Sequence, residues 1–266
     1  MLCTLATWAA RPSKESRGNC SGHHGVAENV KIEIWSDIAC PWCYIGKRRF
    51  ESALSAFAHR DEVQLEWKSF QLDPTIPEHY DGTELDYLSK RKGMPAASVA
   101  QMFEHVKTQA AGEGLNYDFD TLTVANSHLG HELIHFAAQQ DLDGQLGLQD
   151  AAKERLLKLH FEEGGDIGDL DTLVSIAVEL GLNAEKAREA LAERDFEEAV
   201  DQDIAEAHAL GIQGVPFFVI DRKYGISGAQ GSEVFSQTLN EAWAESHPLI
   251  MTTEKGEACG PDGCAI

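Results

Sequence analysis

Basic residues are scarce in this chain of 266: 22 Lys and Arg stand against 44 Asp and Glu, a formal net charge of −22. Such a surface repels phosphate backbones and anionic membranes on average, and no basic patch is evident in the sequence. Nucleic-acid and membrane partners are therefore not expected. Long apolar runs are missing too; nothing approaches the roughly 18 uninterrupted apolar residues of a membrane span. Cysteine is sparse: Cys3 with Cys20, Cys40 with Cys43, and Cys259 with Cys264. A disulfide scaffold suits short secreted chains that cannot build a core. With 43% hydrophobic and 25% charged residues, this chain can build one, as a single large domain or a domain carrying an insertion. Close cysteine pairs in such a protein point instead to redox chemistry or metal binding.

Leu2, Leu5 and Trp8 make the start mildly apolar, but no basic residue precedes them and Arg11 follows at once. That falls short of a secretory signal. Residues 1–29 read as a disordered leader, in which His23-His24 is only a weak metal-binding feature, and the expected location is cytoplasmic.

From Val30 the pattern becomes regular. Val30, Ile32 and Ile34 alternate with Lys31, Glu33 and Trp35, predicting a strand with one largely polar face. A helix is expected through Tyr44 to Leu54, with Pro41 acceptable at its first position because the N–H it lacks has no intrahelical partner there. Val63 to Phe70 predicts a second strand, and the order strand, helix, strand favours a parallel crossover. Helical spacing then dominates: Val99, Met102, Phe103, Val106 and Ala110 mark one helix, and Leu170, Leu173, Val174 and Ala177 another. Asp169, Asn183 and Asp195 are expected N-caps, and Gly211 an expected C′ residue. Strand character returns at Val215–Ile220 and Tyr224–Ser227, followed by a helix from Ser232 to about Trp243. A strand–helix unit is thus split by about 130 residues of helical signal. The expected organisation is a discontinuous domain over 30–81 and 212–247, a helical insertion over 82–211, and a flexible cysteine-containing tail over 248–266.

Cys40-Pro41-Trp42-Cys43, at a strand-to-helix junction, is the strongest chemical signal. Cys40 falls at a helix N-terminus, where unpaired N–H groups and the macrodipole favour an anion. Thiolate is the reactive form, and a stabilised thiolate is also a better leaving group. Cys43, one turn later and more buried, is the expected resolving thiol. Zinc needs about two further ligands, and none lies at finger spacing, so no metal is expected. Val215-Pro216 opens an apolar strand with a proline, an odd place unless the bond geometry is used. Gly46 suits close helix–strand packing.

From Val30 to about Trp243 the chain resembles the disulfide-oxidoreductase family typified by bacterial DsbA, in its FrnE-like branch. The likeness is carried by Ser36-Asp37-Ile38-Ala39-Cys40-Pro41-Trp42-Cys43-Tyr44-Ile45-Gly46-Lys47-Arg48, by Ala125-Asn126-Ser127 with His131, and by Gly164-Gly165-Asp166-Ile167-Gly168-Asp169. Gly211-Ile212-Gln213-Gly214-Val215-Pro216-Phe217-Phe218 and Ile226-Ser227-Gly228-Ala229-Gln230 complete it. The resemblance implies an α/β class: a thioredoxin-like fold interrupted by an all-helical insertion domain. It implies Cys40 as nucleophile, Cys43 as resolving cysteine, and a cis Pro216 opposite them. Pro41, Trp42, Val215 and Pro216 then border a substrate that pairs with backbone beside the proline, a form of strand addition. Asn126 and His131 are polar contacts facing the site, with an N-cap and a core histidine as their structural alternatives.

The same resemblance implies a disulfide-exchange enzyme with no metal or organic cofactor, acting on protein or small dithiols and recycled by a thiol reductant or oxidant. Monomer and homodimer both fit. Similar glutathione-dependent isomerases of 2-hydroxychromene-2-carboxylate typically carry serine at the reactive position, so two cysteines favour dithiol exchange; glutathione enters as co-substrate in that rival reading. A chaperone-like binding protein on the same fold is the second rival. Cys259 and Cys264, with Gly260, Pro261 and Gly263 turning the chain between them, form a candidate second redox pair.

Overall fold

The structure, a computed structural model, describes residues 29–77, 80–141 and 147–248, with the backbone of 259–260 and 263–264. Residues 1–28 of the proposed leader, with Cys3, Cys20 and His23-His24, lie outside the described residues. Strand β1 (Val30–Ser36) runs into helix α1 (Pro41–Ala56), and β2 (Val63–Ser69) lies parallel to β1, pairing Val30 with Val63 and Ser36 with Ser69. Seven helices follow: α2 (Glu84–Lys92), α3 (Ala96–Gly112), α4 (His128–Gln140), α5 (Leu148–Glu162), α6 (Leu170–Glu179), α7 (Ala184–Ala192) and α8 (Glu197–Ala209). The chain then returns through β3 (Phe217–Ile220), β4 (Tyr224–Ser227) and α9 (Ser232–Ser246). The sheet order is β2-β1-β3-β4, with β3 antiparallel to both of its neighbours. This is an α/β, thioredoxin-like fold whose sheet is interrupted in sequence by helices.

Local signals account for most element ends. Asp169 and Asn183 accept from the backbone N–H groups of Thr172 and Lys186, as N-caps do. Gly211 follows α8 with φ +77°, a left-handed conformation that costs glycine least. Asp195 is a correction: the residue flanking α8 is Phe196, and no side chain caps that end. The largely polar face expected of β1 is another, for Glu33 is only 1% exposed and Trp35 is fully buried. Helix α8 packs on β2 beside this face. Trp35 joins Phe70, Ala207, Ile212 and Val219 in a small cluster there and donates from its indole to the Asp203 carbonyl, while Glu33 pairs with Arg222. A buried carboxylate needs such a partner.

The largest apolar cluster among the described residues links the sheet to the intervening helices. It joins Ile32 and Ile34 of β1, Phe50 of α1, Phe218 of β3 and Phe235 of α9 to Leu133, Leu156, Leu173 and Leu191 of the intervening helices. A second cluster, with Tyr44, Ile45, Phe103, Phe119 and Phe161, lies against the first turns of α1. Each fully buried Ile or Phe contributes about 1.5–3 kcal/mol relative to exposure, so the start of α1 is clamped between two cores.

Candidate active site

Three short segments meet at the start of α1. The first is the turn after β1, where the Cys40 N–H donates to the Asp37 carbonyl and the Cys43 N–H to the Cys40 carbonyl. Cys40 is the residue flanking the helix, in an extended conformation, and Pro41 occupies the first turn. The second is the segment entering β3: the Cys40 thiol lies 3.5 Å from the Val215 carbonyl oxygen, and the Val215–Pro216 bond is cis. Gly46 makes this approach possible, because a Cβ there would sit 2.8 Å from Pro216 Cγ. The third is the segment before α4, where Tyr117 donates through its hydroxyl to the Pro41 carbonyl at 2.7 Å.

Both cysteines are free and buried, Cys40 at 3% exposure and Cys43 at 0%. Only Cys40 of the two lines a cavity of ≈ 290 Å³ together with Trp42 and Phe103. Behind them lies a buried polar set that motif reading missed. Lys153 of α5, 1% exposed, donates from Nζ to the Ser36 carbonyl at 3.2 Å and lies over the Trp67 ring. Asp37 accepts from the Leu72 N–H at 2.7 Å and from His131 Nε2 at 3.4 Å. Lys153, Leu156, Leu157 and His160 share one face of α5 at helical spacing. A lysine and a histidine on an otherwise apolar face were the sequence signal for this set.

The charges divide between the sulfurs. Hydrogen bonding to Cys43, burial, and the negative charges of Cys43 and Asp37 push the Cys40 thiol well above its ordinary value. Burial acts against the Cys43 thiolate as well, but the Cys40 thiol and the Lys153 ammonium outweigh it and hold Cys43 below its ordinary value. The two shifts are the two sides of one hydrogen bond, which raises the sulfur that donates and lowers the one that accepts, so the charge left by the first proton is shared between Cys40 and Cys43. Burial lowers Lys153 to about 8, and burial lowers His131 to about 4. Burial raises the Asp37 carboxyl, yet hydrogen bonds from His131 and the Leu72 N–H override it, leaving Asp37 low and ionised.

The remaining expected site residues separate. His131 is buried against Asp37 and acts behind the site, without bordering the cavity. Asn126 is absent from the residues lining the Cys40 cavity; its amide donates to the Pro74 and Ile76 carbonyls and its oxygen accepts from Gln71 and the His128 N–H. It ties the segment after β2 to the start of α4. Neither side chain borders the Cys40 cavity, and Asn126 lines a separate one with Gln71 and His128. Cys259 and Cys264 face each other in register across a two-stranded hairpin, β5 (Cys259–Gly260) with β6 (Gly263–Cys264), and their side chains lie outside the described residues. Among the described residues no group of acidic, cysteine or histidine side chains is placed to hold a metal.

A mixed four-stranded sheet with a C-x-x-C at its first helix and a cis X-Pro beside it defines a protein of the thioredoxin-like thiol–disulfide class. The chain belongs to the DSBA-like thioredoxin domain family, whose model matches residues 31–240. It is similar to the crystal structure of a probable DsbA oxidoreductase from Streptomyces coelicolor, at 41% identity over 89% of this chain and 99% of that one, with a TM-score of 0.76. YwbO, an uncharacterized protein of Bacillus subtilis, is 27% identical across 80% of this chain and 96% of its own. A 2-hydroxychromene-2-carboxylate isomerase shares the fold, with a TM-score of 0.61 at 13% identity over 81% of this chain and 97% of that one.

Proposed function

We propose that the protein exchanges disulfides with protein or small dithiol substrates through Cys40 and Cys43. One observation carries the reading: of the two sulfurs, Cys40 alone lines the cavity, while Cys43 lies behind it beside Lys153. Passing the Cys40 proton to Cys43 makes the outward sulfur a thiolate. That thiolate attacks a substrate disulfide, and the substrate's second sulfur leaves as a thiolate. Cys43 gives its proton to the departing thiolate, then attacks Cys40 Sγ in the mixed disulfide and expels the remaining substrate sulfur as a thiolate. The pair ends oxidised by two electrons and the substrate reduced by two; oxidation of a substrate dithiol runs the same steps in reverse. Val215 and Pro216 border the extended substrate, and Pro41 and Trp42 border its other side. No metal or organic cofactor takes part, and a cellular thiol reductant or oxidant resets the pair. We place the activity in the cytoplasm, where thiols are kept reduced; among the described residues no helix is long and apolar enough to cross a membrane.

Replacing the nucleophile tests this directly. Cys40→Ser is expected to lower the rate of disulfide exchange by about a thousandfold or more, as loss of a nucleophile does. Cys43→Ser should accumulate a mixed disulfide visible in the intact mass. Activity that requires glutathione and survives Cys43→Ser would assign the isomerase reading instead. Thiols inert at neutral pH would leave a binding protein.

A further inference from the structure

The cavity beside Cys40 has a composition that selects its ligand. Its walls are apolar, with Trp42 from α1, Phe103 from α3, and Phe119 and Phe161 from the second core. Its charged lining residues are the acids Asp37, Asp73 and Glu84, and no lysine or arginine lines it among the described residues. Asp73 is already engaged by Arg91 and by the Tyr87 hydroxyl, and Asp37 by His131. Burial pushes Glu84 up to about 7. Beyond the helix N-terminus at Cys40, an anionic ligand would meet carboxylates and apolar wall, with no lysine or arginine among the described lining residues to replace the water it gives up.

One polar group in this cavity lacks a partner. His160, 3% exposed, lines it from the last turn of α5, and its Nδ1 has no hydrogen-bond partner among the described residues. Buried polar atoms in folded proteins are nearly always satisfied, by protein, water or ligand. Burial pushes the ring down to about 4, so near neutrality it is an uncharged imidazole with one donor and one acceptor nitrogen. Apolar walls with a few placed polar groups are the make-up of a small-molecule site, and ≈ 290 Å³ is close to the lower end of such sites.

We propose that this cavity binds a small disulfide whose sulfur carries an uncharged aromatic or aliphatic body ending in one polar atom that hydrogen-bonds His160, and that it discriminates against anionic disulfides, glutathione disulfide among them. The inference rests on Cys40 being the attacking sulfur. The Cys40 thiolate forms a bond to the sulfur bearing the apolar body, the S–S bond breaks, and the second half leaves as a thiolate. Attack by Cys43 on Cys40 Sγ then releases the first half, so two substrate thiols form as the cysteine pair is oxidised.

Selectivity and chemistry are tested separately. The reduced wild-type protein is reacted with 4,4′-dithiodipyridine, with the dicarboxylate 5,5′-dithiobis(2-nitrobenzoate) and with glutathione disulfide, each rate divided by that of dithiothreitol with the same disulfide. The neutral disulfide is expected to lead both anionic ones by about tenfold or more, and His160→Phe to reduce its lead by about two- to tenfold, the span of one hydrogen bond. Met102, 39% exposed, lies on the lining; Met102→Lys should raise the relative rates of the anionic disulfides. Calorimetry on Cys40→Ser removes the chemistry: 4-(methylthio)pyridine should bind and 4-(methylthio)benzoate should not. Equal relative rates for all three disulfides, or equal binding of the two thioethers, overturns the inference and leaves disulfide exchange standing. Selective thioether binding without exchange by the wild type overturns the exchange reading and leaves the selective cavity standing.

Discussion

Lys153 is the residue on which the electrostatics of the sulfur pair turn. It is held away from water against the Ser36 carbonyl, and its ammonium is a positive charge acting on Cys43. Removing it should make the first proton harder to lose from the pair. We expect Lys153→Met to raise the lower thiol ionisation by about one pH unit, equivalent to about 1.4 kcal/mol. Asp37→Asn should move Cys40 the other way, because it removes a negative charge and keeps an oxygen to accept from the Leu72 N–H. Alkylation rate against pH, with ultraviolet thiolate absorbance as a second readout, checks both; equal shifts of the same sign would show that packing and not charge is responsible. The C-x-x-C itself was legible because its geometry is local. The charge distribution was not: Lys153 lies 110 residues beyond Cys43 in sequence, and no spacing rule brings them together.

At the scale of elements, helix α1 does two jobs. Its first turn presents the cysteines, and its second rests on the segment entering β3. Gly46 permits that contact, with Pro216 Cγ at 2.8 Å and Ala229 Cβ at 3.5 Å from where a Cβ would be. Gly46→Ala would gain up to about 1 kcal/mol of helix propensity. Overpacking costs about 1–3 kcal/mol, and the backbone-borne Pro216 ring has little freedom to yield. We therefore expect a net loss of about 1–2 kcal/mol in urea unfolding, with slower exchange through the displaced Cys40–Val215 contact. Most elements followed from apolar spacing and caps, as at Asp169 and Asn183. Two readings were misplaced. Lys31, Glu33 and Trp35 looked like a solvent face of β1, yet Glu33 and Trp35 are covered where α8 packs beside β2. Asp195 stands one position before Phe196, the residue flanking α8, and no side chain caps that end.

At the scale of the whole molecule, the histidines buried between the packed elements link stability to pH. His131 and His160 both fall to about 4 by burial, against about 6.5 in an unfolded chain. Between these values the unfolded chain binds protons that the folded chain does not. Stability is therefore full above about pH 6.5 and declines as pH falls toward about 4, by up to about 3 kcal/mol per histidine. Urea midpoints measured across that window should fall in the wild type and fall less in His160→Phe; a flat profile would contradict the burial of neutral imidazoles. The sequence alone settled what is local or periodic: the cysteine pair separated by two residues at a strand–helix junction, the split α/β order and the excess of acid, because chain connectivity and side-chain spacing carry those. Only the tertiary structure decided that Lys153 and Asp37 flank the sulfur pair, that Asn126 and His131 hydrogen-bond to scaffold groups, and that an apolar cavity with no lysine or arginine among its described lining residues opens beside Cys40. Those are through-space properties, set by desolvation and by partners that meet only when distant segments pack.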